Sequence, residues 1–403
     1  MTTGAAGGAG RADGRGVDGH GGELLVGSLP EAARRAGITH LDLHHVHTPL
    51  RSPFTAAHGT ESDREVVLVR ATADDGAEGW GECDTLSTAT YTAEWTAGAF
   101  VALRDALGPA ALAGDDVEWI AMASAHPMAA AAVELAVVDL TLRRAGRSLA
   151  AALGASCREV PAAVVLGRPA TVDDLLAAVG AAVEAGAPLV KVKVAPGWFA
   201  EPLAAVRAAF ADLALAADAN GSFAVDDLPD VATTATSLGL AYLEQPVSPT
   251  ADAALAGWPS GAPPVVVDES VGGPDDVVRI AGIGTPVPSG VNVKPARVGG
   301  LRAAMAVVDT CRRTGAPVLV GGMLELGVGR AAAVALAARV ADEGAAWPTD
   351  VGPSGRYVDA DVTEPVLAGG PGTVAVPVGP GIGRTPVAER LDAATLQVAT
   401  VVR

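Results

Sequence analysis

Five charged residues recur in the middle of this chain at a nearly constant spacing. Lys193, Asp218, Glu244, Asp268 and Lys294 follow one another at intervals of 25, 26, 24 and 26 residues. Carboxylates supply hard oxygen ligands, which suit a divalent cation such as Mg²⁺. A lysine in its neutral form can take a proton from a substrate. The pattern therefore predicts three metal-binding carboxylates with a lysine on either side.

A third lysine lies close to the first. In Leu189–Val194 lysines alternate with valines, so Lys191 and Lys193 share one face of the predicted strand. Taken alone, this stretch also fits an edge strand that shows its lysines to water. The repeat of charged residues favours the buried alternative. Since a neighbouring positive charge favours the neutral form of a lysine, we expect Lys191 to assist Lys193 as a base.

The elements that must position these residues alternate regularly. Short apolar strands are separated by Ala-rich helical segments, and the seven predicted strands lie at 161–167, 189–194, 213–220, 240–246, 264–270, 290–295 and 317–322. Such alternation indicates a parallel sheet with right-handed crossovers. The number of units, without a G-x-G-x-x-G motif, favours a closed barrel. Each charged residue then lies at the carboxyl end of its own strand, where such barrels form active sites.

The predicted fold class is α/β, with other regions on either side of the barrel. Residues 1–22 lack periodicity and are rich in Gly and Ala, so we predict a disordered tail. We predict an α+β capping domain over 23–158 and the barrel over 159–350. A Pro/Gly-rich segment over 351–403 is expected to pack on the capping domain. Within that domain, Pro49–Thr60 is predicted to be a loop that could close over a site.

Composition narrows the range of functions. The formal charge is −18 and the pI is near 4.7, which argues against nucleic acid or an anionic membrane as a partner. Three scattered cysteines form no C-x-x-C motif and no stretch is apolar enough to cross a membrane, so we expect a cytoplasmic protein. All seven histidines precede the predicted barrel and no G-x-S-x-G motif is present. Neither a histidine base on a barrel strand nor acyl-enzyme chemistry is therefore indicated.

Several motifs around these residues resemble the enolase superfamily. Within it they are most similar to the muconate-lactonising subgroup, in the branch of the o-succinylbenzoate synthases and N-acylamino acid racemases. The motifs that carry the resemblance are Lys-Val-Lys-Val-Ala-Pro-Gly-Trp (191–198), Asp-Ala-Asn (218–220), Glu-Gln-Pro (244–246), Asp-Glu-Ser (268–270), Lys-Pro-Ala-Arg (294–297), Gly-Gly-Met-Leu-Glu (321–325) and Gly-Trp-Gly-Glu-Cys (79–83). The likeness extends over roughly residues 37–390.

The resemblance implies a capping domain on a modified (β/α)₇β barrel and assigns roles to the charged residues. By similarity, the three carboxylates at 218, 244 and 268 bind Mg²⁺, for which Mn²⁺ can substitute. Lys193 and Lys294 become the acid/base pair, assisted by Lys191. Asn220, Glu269 and Arg297 are expected near the metal or the substrate. The expected partners are a small-molecule carboxylate substrate and further copies of the chain in a homo-oligomer.

Three positions depart from what this branch usually shows, namely His58, Val165 and Leu326. With Gly322 and Met323 they are expected to line the substrate pocket, so they bear on the substrate and leave the proton chemistry intact. The favoured function is o-succinylbenzoate synthase, which dehydrates a 2-succinyl-6-hydroxy-cyclohexadiene carboxylate through an enediolate in menaquinone biosynthesis. The alternative is N-acylamino acid (N-succinylamino acid) racemase, alone or as a second activity. A cycloisomerase, a dipeptide epimerase and a non-catalytic barrel that binds acidic ligands are less favoured.

Overall fold

The computed structural model describes residues 27–284 and 290–403, so the predicted tail over 1–22 lies outside the described residues. The first part of the chain forms an antiparallel sheet covered by helices. Its strands are β1 (Ile38–Ala56), β2 (Gly59–Ala73) and β3 (Glu78–Cys83). Its helices are α1 (Leu29–Arg35), α2 (Thr96–Ala102), α3 (Gly108–Ala113), α4 (Asp116–Ala125), α5 (Pro127–Arg144) and α6 (Leu149–Ala152).

Two glycines on β3 explain how closely α5 packs on this sheet. A Cβ atom at Gly79 would lie 2.2 Å from the carbonyl oxygen of Ala136, and one at Gly81 would lie 1.9 Å from that of Ala132. Because side chains alternate along a strand, the Trp80 side chain between these glycines faces the other side of the sheet. The Gly-x-Gly spacing therefore allows backbone-to-backbone contact between strand and helix.

The segment predicted to be a loop over 49–60 is a β-hairpin instead. Strands β1 and β2 continue to Ala56 and Gly59, with the pairs Phe54–Glu61 and Thr55–Thr60, after an irregularity that begins at Pro49. The irregularity absorbs the residues that cannot join the ladder. The hairpin tip reaches the barrel, where the Arg168 N–H donates to the Thr55 carbonyl at 2.8 Å.

The second part of the chain is a parallel barrel. Its seven strands lie side by side in sequence order, and each pairs with the next. They are β5 (Val164–Leu166), β6 (Val190–Lys193), β7 (Leu215–Asp218), β8 (Leu243–Glu244), β9 (Val265–Val267), β10 (Gly290–Val293) and β11 (Val318–Val320). The helices are α7 (Val172–Glu184), α8 (Ala200–Ala209), α9 (Leu228–Ser237), α10 (Pro274–Ala281), α11 (Leu301–Thr314) and α12 (Gly327–Asp342).

A short segment at Thr349–Asp350 closes the ring. Its Asp350 N–H donates to the Val320 carbonyl on β11 at 3.0 Å. On the other side, the Thr349 N–H donates to the Pro161 carbonyl at 2.9 Å, and the Thr349 carbonyl accepts from the Ala163 N–H at 2.8 Å. The segment thus stands where an eighth strand would stand, and the (β/α)₇β barrel is confirmed.

The C-terminal segment returns to the first sheet, as predicted. Strand β12 (Thr373–Ala375) pairs with β4 (Glu159–Pro161), and α13 (Ala388–Ala394) leads into β13 (Thr395–Val402). Strand β13 lies antiparallel beside β1 at the edge of the sheet. The exact domain limits stay predictions. No helix within 27–284 and 290–403 is long and apolar enough to span a membrane.

The sheet's stability can be tested at Leu68, a fully buried residue of β2. We expect Leu68→Ala to lower the free energy of unfolding by about 2–5 kcal/mol, because it removes buried methyl groups and leaves a cavity. Val402→Ala, at a position 70% exposed on β13, should change it by less than about 0.5 kcal/mol. Chemical denaturation measures both, and equal effects would contradict the assignment of this core.

Candidate active site

The structure brings the five periodic residues to one end of the barrel. Strands β6, β7 and β8 end at Lys193, Asp218 and Glu244, while Asp268 and Lys294 directly follow β9 and β10. The first three are neighbours in the strand register. The three carboxylates are fully buried and both lysines nearly so. One residue per strand at the same end is what the spacing predicts.

Each of the two outer lysines contacts a different carboxylate. The Lys193 Nζ donates to Asp218 Oδ2 at 2.6 Å and to Asn220 Oδ1 at 3.1 Å. The Lys294 Nζ donates to Asp268 Oδ2 at 2.7 Å. Strands β6 and β10 are four steps apart in a ring of seven strands and a closing segment. The two lysines therefore belong to opposite sides of the barrel.

Lys191 has partners that the sequence does not reveal. Its Nζ donates to Glu244 Oε2 at 2.6 Å and to Asp350 Oδ2, and it lies 3.9 Å from Asp218 Oδ2. Burial disfavours its charge, but attraction by Asp350 and Glu244 outweighs burial and raises the pKa of Lys191 well above its ordinary value. The positive charge of the Lys191 ammonium is thus paired with carboxylates. The structure therefore points to a role for Lys191 other than electrostatic repulsion of the Lys193 ammonium.

The pKa values of the three buried carboxylates are shifted in different directions. Burial, followed by repulsion from Asp218, raises the pKa of Glu244 well above its ordinary value. Burial also acts on Asp268, but Arg297 and Lys294 reverse it and hold the pKa of Asp268 well below its ordinary range. For Asp218, Lys193 outweighs burial and the pKa is lowered. Glu244 therefore has less positive charge beside it than its burial requires. Such a group of buried carboxylates is suited to binding a further cation.

The donor set fits a hard divalent cation. Carboxylate oxygens from three adjacent strands meet at one end of the barrel, and Glu269 Oε2 is buried without a hydrogen-bond partner in the described chain. Burial and then Asp268 raise the pKa of Glu269 to about 7. Across 27–284 and 290–403 no three His, Cys, Asp or Glu side chains form a ready-made metal cluster. Lysine and arginine nitrogens contact oxygens of Asp218 and Asp268 instead.

Tyr91 belongs to this site although no sequence pattern predicts it. Its hydroxyl donates to Asp268 Oδ2 at 2.9 Å and accepts from Lys294 Nζ at 2.8 Å and from Arg297 Nη1 at 2.9 Å. Lys294 Nζ also lies 4.7 Å from the centre of the Tyr91 ring, within cation–π range. Tyr91 comes from the chain between β3 and α2, outside any regular element.

Most of the predicted pocket residues lie around one cavity of about 70 Å³ between the two parts of the chain. Its lining includes His58, Val165, Gly322 and Met323 as well as both outer lysines. The His58 ring lies 5.4 Å from that of Tyr91, and its Nδ1 is buried without a partner among the described residues. Burial, then Lys193 and Lys294, lower the pKa of His58 to about 4, so the imidazole is neutral at pH 7.

Backbone strain is concentrated beside this site. Outside glycine, left-handed φ angles within the described ranges occur at Asn220, Gln245 and Leu324, with values of 44°, 35° and 60°. The first two follow Asp218 and Glu244, and Leu324 lines the cavity. Such angles cost about 1–3 kcal/mol each and persist where the surrounding structure imposes them.

Two families of known proteins match most of this chain. Residues 38–154 match the family described as "Mandelate racemase / muconate lactonizing enzyme, N-terminal domain", and residues 174–390 match "Enolase C-terminal domain-like". The chain belongs to the enolase superfamily. Members of this superfamily typically use a divalent metal such as Mg²⁺ and act on small molecules, which agrees with the buried carboxylates described above.

Individual relatives indicate to which branch of the superfamily this chain is most similar. An N-succinylamino acid racemase from an Amycolatopsis species is 38% identical over 372 residues, 89% of this chain and 97% of that protein. An o-succinylbenzoate synthase from Geobacillus kaustophilus is 35% identical over 354 residues, 86% of this chain and 92% of that protein. The solved structure of a probable mandelate racemase from Alicyclobacillus acidocaldarius is 34% identical, with a TM-score of 0.78, covering 91% of this chain and 99% of that one. The predicted branch of the superfamily is confirmed.

One predicted pocket residue of this enolase-superfamily enzyme lies elsewhere. Leu326 is fully buried in the core immediately before α12 and is absent from the cavity lining. Its N–H donates to Glu82 Oε1 at 2.6 Å, and the Gly329 N–H donates to Glu82 Oε2 at 2.7 Å. The carboxylate at the end of β3 thus binds the start of α12, and this anchor holds Leu326 in the core.

This anchor predicts a pH dependence of stability. Burial is the main cause that raises the pKa of Glu82 to about 7, while the two N–H groups oppose it. In the unfolded chain the Glu82 carboxyl loses its proton near the ordinary glutamate pKa of 4.5. The stabilising contribution of Glu82 is therefore complete below that pH and is lost as pH rises to about 7. We expect the free energy of unfolding to fall by up to about 3 kcal/mol across this window.

The measurement is chemical denaturation between pH 4.5 and 8. Glu82→Gln should reduce the slope of the free energy of unfolding against pH. Glu389→Gln, at an exposed position on α13, should leave this slope unchanged. A wild-type stability that rises through this window would contradict the assigned environment of Glu82.

Proposed function

We propose that this enzyme is an o-succinylbenzoate synthase that removes the proton α to a substrate carboxylate with Lys193. The observation that carries the proposal is the pair Lys193 and Lys294 on opposite sides of the barrel, each beside a different buried carboxylate. A substrate held between them offers one face of its α-carbon to each lysine. The substrate would be a 2-succinyl-6-hydroxy-cyclohexadiene carboxylate.

The residues can be given roles in the dehydration. Asp218, Glu244 and Asp268 would hold Mg²⁺, which when bound polarises a substrate carboxylate and acidifies the adjacent C–H bond. Neutral Lys193 takes the α-proton and, as the ammonium, returns a proton to the departing hydroxyl, so one water leaves and the lysine is regenerated. The Lys294 ammonium stabilises the negative charge that develops on the substrate.

Racemisation of N-succinylamino acids is the second candidate, and the same opposed pair supports it. One lysine would take the α-proton from one face and the other lysine would return a proton to the opposite face. The relative at 38% identity is named as an N-succinylamino acid racemase, whereas the relative at 35% is named as a synthase. Both reactions share the first proton transfer, so one site can support both.

Two assays test this proposal. Loss of absorbance of the cyclohexadiene substrate measures dehydration, and α-deuterium incorporation into N-succinyl amino acids in D₂O measures racemase chemistry. We expect dehydration to be the faster reaction, and removal of divalent metal with EDTA to abolish both. Turnover of neither substrate with Mg²⁺ present would reject both named activities. Racemisation with undetectable dehydration would reject the synthase and retain the racemase.

A further inference from the structure

A layer of four polar side chains lies inside the barrel, beside the outer lysines. It consists of Lys191 on β6, Glu244 on β8, Asn292 on β10 and Asp350 on the closing segment. These elements alternate around the ring, which is how interior layers of such barrels are built. Barrel layers are normally filled by branched apolar residues. Three charges and an amide in this position therefore need an explanation.

The four side chains form one connected network. The Lys191 ammonium donates to Glu244 Oε2 at 2.6 Å and also to Asp350 Oδ2. The Asn292 amide nitrogen donates to Glu244 Oε1 at 2.9 Å and lies 3.5 Å from Asp350 Oδ2. Both oxygens of Glu244 are thus held, one by Lys191 and the other by Asn292. The orientation of the Glu244 carboxylate is set by this layer.

The charges of the layer do not cancel. One lysine is shared between two buried carboxylates, so the layer carries a net negative charge when all three groups are ionised. If Asp350 were neutral, Lys191 would pair with Glu244 alone and cancel its charge. The Oδ1 atom of Asp350 is also buried without a hydrogen-bond partner within the described chain. Barrel closure does not require this side-chain oxygen, because the closing hydrogen bonds are made by the backbone of Thr349 and Asp350. A buried oxygen without a partner is costly, so Asp350 must have another role.

We propose that Asp350 is a positioning residue that draws the charge of Lys191 away from Glu244, so that the oriented Glu244 carboxylate is not fully neutralised and can bind a divalent cation. This inference rests on the metal site of the proposed function. It does not depend on which of the two reactions the enzyme performs. It also gives Lys191 a role, namely to hold the middle carboxylate without neutralising it.

The test is Mg²⁺ affinity, measured without substrate by calorimetry with MgCl₂ and checked with Mn²⁺ by electron paramagnetic resonance. Asp350→Asn keeps the size of the side chain and removes its charge, and we expect the Kd for Mg²⁺ to rise about tenfold or more. Asp361→Asn is the matched control, because Asp361 is another buried acid of the C-terminal segment that binds the Gly327 and Thr363 N–H groups instead. The control should leave the Kd within about twofold of wild type.

A double-mutant cycle separates positioning from a merely structural role. In the Lys191→Met background there is no ammonium for Asp350 to attract, so Asp350→Asn should then raise the Kd by less than about threefold. The same factor in both backgrounds, or an unchanged Kd in the single variant, would overturn the inference. If Asp350→Asn does not fold, Asp350→Glu replaces it: retained charge should keep the Kd within about threefold, and a tenfold loss would overturn the inference. Absence of Mg²⁺ binding to wild type would instead reject the proposed metal site.

Discussion

Lys193→Ala is expected to lower α-proton exchange and dehydration by about 10³-fold or more, because the variant has no base on that face of the substrate. The side chain leaves a buried position at the end of β6 where it contacts Asp218 and Asn220. Single-turnover dehydration and proton exchange in D₂O measure the effect. Added methylamine should restore part of the rate, since a small amine can occupy the vacated space and act as the base.

Two controls show whether the effect is chemical. Lys193→Ala should still bind Mg²⁺ and melt cooperatively, because the three carboxylates remain in place. Arg312→Ala removes an exposed cation from α11, outside the site, and should leave both rates unchanged. Full proton exchange in Lys193→Ala would show that another group is the base.

Lys294→Ala should separate the two candidate reactions. Dehydration is expected to fall by about 10²–10³-fold, because the ammonium that faces the developing negative charge is lost. Racemisation of N-succinyl amino acids should fall below detection. Deuterium exchange should persist for the one enantiomer whose α-proton faces Lys193, since the proton removed there can be replaced by a deuteron on the same face.

Chiral chromatography combined with proton NMR distinguishes these outcomes. Tyr91→Phe is the useful companion variant, because it removes the hydroxyl that contacts Lys294 and keeps the ring beneath the ammonium. It should weaken activity less than Lys294→Ala does. Exchange into both enantiomers by Lys294→Ala would show that Lys294 is not the second acid/base group.

The amino-acid composition supports a special use of lysine in this protein. The chain contains three lysines, Lys191, Lys193 and Lys294, and all three lie in this site, while its other cationic side chains are arginines. Arginine cannot be deprotonated under physiological conditions, so it can supply a permanent charge but cannot act as a base. Lysine therefore occurs in this chain at the positions where an amine can hold or release a proton.

Much of the site follows from the sequence because the βα unit has a regular length. A residue at the end of one parallel strand recurs about 25 positions later at the end of the next, so Asp218, Glu244 and Asp268 can be placed side by side from spacing alone. The same local regularity predicts the barrel, whereas its absence from the Pro/Gly-rich segment over 351–403 predicts that this segment packs on the capping domain. Periodicity also places Lys191 deeper in the barrel than Lys193, because residues two positions apart on a strand share a face and lie one pleat apart.

Other parts of the site depend on contacts between distant segments, which no local pattern encodes. Tyr91 meets Asp268 across 177 residues of chain, and Glu82 binds the Leu326 N–H across 244. Leu326 is drawn into the core by that contact although its motif suggests a pocket residue. Asp350 lies in an irregular segment whose role appears only when the barrel closes around Lys191. Sequence spacing determines which residues share an end of the barrel, whereas packing between the two parts of the chain decides which charges they meet there.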